Sequence, residues 1–148
     1  MQLNQATDYA FRAVMHLVLS LPKEIVPAQT IAESEHIPMR FLLKIMRYLL
    51  QAGIVKSYRG IEGGYGLAKR PEDITLLDVV KAIEGEIAIN RCLLDPKYCS
   101  KNGVGTCEIH NALEAIQNKL TEELARYNFA ELAEKNAQKN NSKGGSVS

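Results

Sequence analysis

No unbroken apolar run in this sequence approaches the roughly 18 residues of a membrane span. The opening residues, MQLNQATDYAFRAV, have no basic leader ahead of an apolar stretch and carry Asp8 early. The expectation is therefore a chain without a signal peptide, working in the cytoplasm. No internal repeat is present, and no Gly-Lys-Ser/Thr follows the glycines at 60, 63, 64 and 66, which excludes a nucleotide-binding loop of that type. Cysteine is scarce, with three in 148 residues, and an odd number in a cytoplasmic chain argues against a disulfide framework. Acidic residues are absent between Met39 and Ile61, a stretch that holds Arg40, Lys44, Arg47, Lys56 and Arg59.

That local imbalance says more than the net charge of +1. Residues 1–70 carry nine Lys/Arg against five Asp/Glu, and residues 71–148 carry nine against twelve, so +4 in the first half offsets −3 in the second. An acid-free basic stretch in a near-neutral protein points to a polyanionic partner. With 46% hydrophobic residues, the chain can build a real core, and its length fits one ordinary domain or a small domain with an appendage.

Apolar spacing predicts a helix over 6–20, stopped by Pro22, with Tyr9, Ala13 and Leu17 on one stripe and Ala10, Val14 and Val18 beside it. A short helix starts near Pro27, and a third follows Pro38 with Phe41, Leu42, Ile45, Leu49 and Leu50 inward and Gly53 closing it. Arg40, Lys44 and Arg47 share the opposite face of that helix. Alternation on both sides of a glycine-rich centre in IVKSYRGIEGGYGLAK predicts two short strands and a hairpin. A helix-turn-helix followed by a hairpin makes a winged helix. The fold class expected is mainly α with a small β-hairpin, and Arg40, Lys44, Arg47, Lys56 and Arg59 are the candidate residues for binding double-stranded DNA.

Thr75 and Asp78 form a capping box before a fourth helix that ends at Gly85. A long helix starting near Thr106 or Cys107 carries Ile109, Leu113, Ile116, Leu120, Leu124 and Tyr127 along one side, an apolar seam suited to a second copy of the chain. The polar end reads as an unstructured tail. The expected organisation is a DNA-binding domain over 1–85, a cysteine-rich loop over 86–106, a dimerisation helix over 107–133 and a disordered tail over 134–148.

All three thiols, Cys92, Cys99 and Cys107, fall in sixteen residues, with His110 three positions after the last. The spacing lacks the tight knuckles of structural zinc sites, whereas iron–sulfur clusters take thiolate ligands at varied spacing and accept histidine on one iron. A thiol switch without a cluster is the first alternative, and a small enzyme using Cys107 and His110 is the second. No orienting third residue or oxyanion motif supports the enzyme.

The order of parts, LNQATDYAFRAV, a basic recognition helix, RGIEGGYGLAK, three cysteines and a long helix, resembles the winged-helix regulators that include IscR and NsrR. The resemblance covers residues 1 to 133. It implies a homodimer on pseudo-palindromic DNA that senses iron–sulfur status, redox state or nitric oxide. It also implies Cys92, Cys99 and Cys107 as ligands of an iron–sulfur cluster. His110 matches the fourth ligand of IscR-like [2Fe–2S] members, and Asp8 matches the partner-donated carboxylate of NsrR-like [4Fe–4S] members. The spacers between the cysteines are longer than in IscR.

Overall fold

The computed structural model describes residues 2–99, 103, 105 and 107–145, the side chains of the last five excepted. Asn4 opens the first helix, α1 (Gln5–Ser20), by accepting the Thr7 N–H on its side chain at 2.8 Å. Ala10, Ala13, Val14, Leu17 and Val18 form its buried stripe, and α1 packs at the centre of the molecule. Two helices lie against it: α2 (Ala28–Glu35) and α3 (Met39–Gln51). The turn between them uses His36 in the left-handed region (φ 55°), buried Ile37, and Pro38, which cannot continue α2. This is the helix-turn-helix, held by Ile31, Ile37, Leu42, Ile45, Met46 and Leu49 in one core.

After α3, Gly53 turns the chain at φ 74° into buried Ile54 and the hairpin β1 (Val55–Tyr58) and β2 (Gly64–Leu67). The strands pair antiparallel from Val55↔Leu67 to Tyr58↔Gly64. Val26 and Tyr65 exchange two backbone hydrogen bonds of 2.9 Å, tying the wing to the start of α2. Gly64 permits that approach, because a Cβ there would lie 2.2 Å from the Val26 carbonyl oxygen.

The capping box of Thr75 and Asp78 starts α4 (Leu76–Glu84) as the sequence predicts. The segment that follows contains a single-turn helix α5 (Arg91–Leu94), capped by Asn90, and a 3-10 turn (Pro96–Tyr98) capped by Asp95. Cys107 caps α6 (Glu108–Arg126), and α7 (Phe129–Gly145) completes the described chain. Among the described residues, no helix is long and apolar enough to cross a membrane.

Three expectations change. The helix expected over 107–133 is two helices broken at Tyr127–Asn128. There the backbone turns sideways to pair with residues 74–76: Leu76 N–H donates to Tyr127 O at 3.0 Å, and Phe129 N–H donates to Ile74 O at 2.9 Å. Phe129 then enters the central core, 1% exposed. The tail expected to be disordered over 134–148 is helical to Gly145, with 146–148 outside the described residues. Once Phe129 anchors the first turn, the Ala, Glu, Lys and Gln residues that follow are good helix formers and propagate it. Finally, Phe41 is 41% exposed rather than inward, and Met46 takes the core position. On α3, residue 41 lies about 100° from both the basic centre and the buried centre, so its neighbours decide. Its ring lies under the Arg40 guanidinium at 4.9 Å and 6.5 Å from Tyr9.

Candidate nucleic-acid interface and thiol cluster

The basic face of α3 follows from helical phase. Leu42, Ile45, Met46 and Leu49 point to the core, which leaves Arg40, Lys44 and Arg47 exposed on the other side. Lys56 stands exposed on β1, with its ammonium 5.7 Å from the centre of the Tyr58 ring. Arg59 is exposed where β1 enters the turn. Among the described residues, none of these five cations is held in an ion pair, so each is available to a phosphate or a base edge. Arg70 contrasts with them. Asp73 and Glu72 bind it at 3.1 and 3.4 Å, and the Asp73 hydrogen bond raises its pKa further.

Two exposed apolar groups join this face without having been singled out by charge. Ile61, at the wing tip, is fully exposed, and Leu43 on α3 is 44% exposed beside Arg40 and Arg47. Helical phase alone places Leu43 with the basic residues, since 40, 43, 44 and 47 follow the i, i+3, i+4, i+7 pattern of one face.

The thiols lie in the segment between α4 and α6. Cys92 belongs to α5 and Cys107 precedes α6, and His110 brings the two together. The His110 Nδ1 is 3.1 Å from the Cys92 Sγ, and the His110 backbone N–H donates to the Cys107 Sγ at 3.4 Å. Cys99 follows the 3-10 turn and accepts the Gly103 N–H on its sulfur at 3.4 Å. All three cysteines are half-buried. Among the described residues, no three His, Cys, Asp or Glu side chains draw together tightly enough to hold a single metal ion. Asp8 lies on the exposed side of α1, where Arg12 binds its carboxylate at 2.7 Å. The same guanidinium donates to the Glu35 carbonyl at the end of α2, at 3.2 Å. Glu35 in turn binds His16 Nδ1 at 2.9 Å.

A helix-turn-helix with a basic second helix, extended by an antiparallel wing, defines a winged-helix DNA-binding protein. The chain belongs to the Rrf2 family, described as iron-dependent transcriptional regulators, which matches residues 3–135; it is a DNA-binding transcription regulator. The transcriptional regulator NsrR of Shouchella clausii is 32% identical over 123 residues, spanning 78% of this chain and 79% of that protein. NsrR of Halalkalibacterium halodurans is also 32% identical over 123 residues, with 78% and 81% spanned. Among solved structures, IscR of T. potens superposes with a TM-score of 0.73 at 23% identity, covering 91% of this chain and 88% of that one. CymR, the global cysteine regulator of B. subtilis, gives 0.71 at 24% identity, covering 91% and 98%. Both establish the fold.

Proposed function

We propose that the chain acts as a cytoplasmic homodimer that binds a pseudo-palindromic operator and senses iron–sulfur status, redox state or nitric oxide through an iron–sulfur cluster. Cys92, Cys99, Cys107 and His110 would hold it, as a [2Fe–2S] site. The observation that carries this reading is the Cys92–His110 contact. It brings a thiol and an imidazole, eighteen residues apart in sequence, together between α5 and α6. Thiolate and imidazole are the donors that iron in such clusters takes. A cluster bound there would supply a centre that exchanges electrons and reacts with oxidants or nitric oxide.

The rest is work for the chain itself. Residues 86–107 connect α4, which packs on α1 and α3, to α6, which carries the apolar seam. The Gln117 side chain on α6 holds the Ile89 N–H at 2.9 Å, so the near end of this segment is already fastened to α6. Ligand contacts from Cys92, Cys99, Cys107 and His110 would set the tilt of α6 against the DNA-binding body. In a dimer, that tilt sets the spacing of the two α3 helices, which must match successive major-groove faces. The dimer reading rests on the α6 seam. Ile109, Ile116, Leu120 and Tyr127 stay exposed, and Leu120 and Leu124 continue into a groove of about 690 Å³ floored by Val80 and Ile87. Arg40, Lys44, Arg47, Lys56 and Arg59 would be the DNA contacts.

Anaerobic reconstitution with iron and sulfide, followed by ultraviolet–visible spectroscopy and iron analysis, tests the cluster. Wild-type protein should absorb broadly above roughly 400 nm, as thiolate-ligated iron does, and each Cys→Ala change should empty the site. His110→Ala should load partially with a shifted spectrum. A colourless, iron-free wild type would leave the thiol switch, which the three half-buried cysteines, gathered in one segment, also support. DNA binding of the iron-free protein would then respond to a thiol oxidant.

A further inference from the structure

The recognition face of α3 is not purely basic. Leu43 is 44% exposed, and its neighbours on that face are Arg40, Lys44 and Arg47. At about 100° per residue, Leu43 falls roughly 60° from Arg40 and 40° from Arg47, and about 110° from the centre of the buried stripe formed by Leu42, Ile45, Met46 and Leu49. The core positions Leu42 and Met46 are both 0% exposed, so α3 has its full set of inward groups without Leu43. Its position in the first half of the helix is where recognition helices reach base edges. An isobutyl group among three cations has no use for a phosphate. In the major groove its apolar counterpart is the 5-methyl group of thymine, the one alkyl group among edges otherwise made of hydrogen-bond donors, acceptors and bare C–H positions.

We propose that Leu43 reads a thymine methyl group in each operator half-site, and so is a specificity-determining residue of the recognition helix. This rests on the assignment of the basic α3 face to the major groove. It adds to that assignment a chemical requirement on the DNA: a thymine at one position, chosen by apolar contact rather than by hydrogen bonding. Leu43 offers no donor or acceptor, so a wrong base at that step would leave its polar edge facing a hydrocarbon and lose hydration without compensation.

The test uses a duplex selected by the wild-type protein from a randomised pool. Each thymine is replaced in turn by deoxyuridine, which removes one methyl group and leaves every hydrogen-bonding edge in place. The wild type should bind about fourfold more weakly when the contacted methyl in one half-site is lost, the effect of removing one buried methyl(ene) group from an apolar contact. Leu43→Ala should bind the parent duplex more weakly and be indifferent to the same replacement. Leu43 is outside the core, so the variant should keep the wild-type melting temperature. Arg47→Ala, measured on the parent duplex, reports on the interface itself. If Arg47→Ala weakens binding but no thymine-to-deoxyuridine change is felt, or wild type and Leu43→Ala feel it equally, the proposal for Leu43 fails and the interface stands. If both variants bind as wild type does, or no sequence is enriched from the pool, the α3 face is not the reading surface and both assignments fail.

Discussion

The five exposed cations of the proposed interface make a quantitative forecast about salt. If each neutralises one phosphate, a dimer releases about ten counterions, and the logarithm of affinity falls against the logarithm of salt with a slope of about −9. Doubling the salt would then weaken binding about 500-fold at this upper limit. Arg47→Ala removes one contact per protomer, two per dimer. The slope should shrink by about 1.8, and the same doubling should cost about 150-fold. Arg47 is exposed and makes no ion pair among the described residues, so the fold should lose no more than about 0.5 kcal/mol. Fluorescence anisotropy with a labelled operator at four or five salt concentrations reads the slope, and thermal melting checks the fold. A weaker affinity with an unchanged slope would move Arg47 from a phosphate to a base edge. Unchanged affinity and slope would remove it from the interface and refute the reasoning.

Other perturbations address other parts of the molecule. Leu120→Glu puts a charge in the apolar seam of α6 and should convert the dimer to monomer or aggregate by light scattering; a wild type that is monomeric at micromolar concentration would overturn the dimer. Phe129→Ala empties a fully buried site and should lower stability by about 3–5 kcal/mol in urea denaturation. A loss below about 1 kcal/mol would mean that α7 does not dock on the central core. Thr75→Ala removes the cap that accepts the Asp78 N–H and should cost about 1 kcal/mol in the same assay, with DNA affinity unchanged.

Much of this architecture is legible in the sequence because its signals are local. Pro38, Gly53, the Thr75–Asp78 pair and the alternation around residues 55–67 each act through neighbouring backbone, and the structure uses all of them. The break at Tyr127–Asn128 is not local. It exists because Ile74 and Leu76, fifty residues earlier, offer backbone groups that divert the chain, and because the central core has room for Phe129. Periodicity cannot register such a contact, and the apolar seam continues smoothly through Tyr127. Phe41 fails for a different reason, since a residue on the border of a helical stripe is assigned by its surroundings and not by its phase. Leu43 is legible by phase, one turn from both Arg40 and Arg47. The meeting of Cys92 with His110 was legible only in part: spacing puts His110 one turn into α6, but α5, which carries Cys92 to it, has no periodic signal at four residues.

The choice between His110 and Asp8 as fourth ligand turns on geometry more than on energy. Asp8 and Arg12 form an exposed i, i+4 pair, with side chains 55% and 43% accessible, and such pairs contribute a few tenths of a kcal/mol. A ligand bond to iron would displace that pair at little cost, so the ion pair by itself does not keep Asp8 from a cluster. Glu84 is bound differently. Its carboxylate accepts the hydroxyl of fully buried Thr7 and lies 3.4 Å from the Asn4 backbone nitrogen, fixing the start of α1 to the end of α4. A hydrogen bond to a charged group in that setting is worth about 1.5–3 kcal/mol. Asp8 is therefore carried on a helix whose first turn is pinned, and it can reach a cluster only if a second subunit brings one to it. His110 meets no such condition. Its imidazole already touches the Cys92 sulfur, and its backbone N–H donates to the sulfur of Cys107, so both contacts come from one chain without moving α1. On that ground His110 is the better candidate for the fourth ligand of the proposed site. The Asp8 alternative then has a distinct signature: Asp8→Ala should reduce iron content only in the dimer and leave it unchanged in monomeric Leu120→Glu protein.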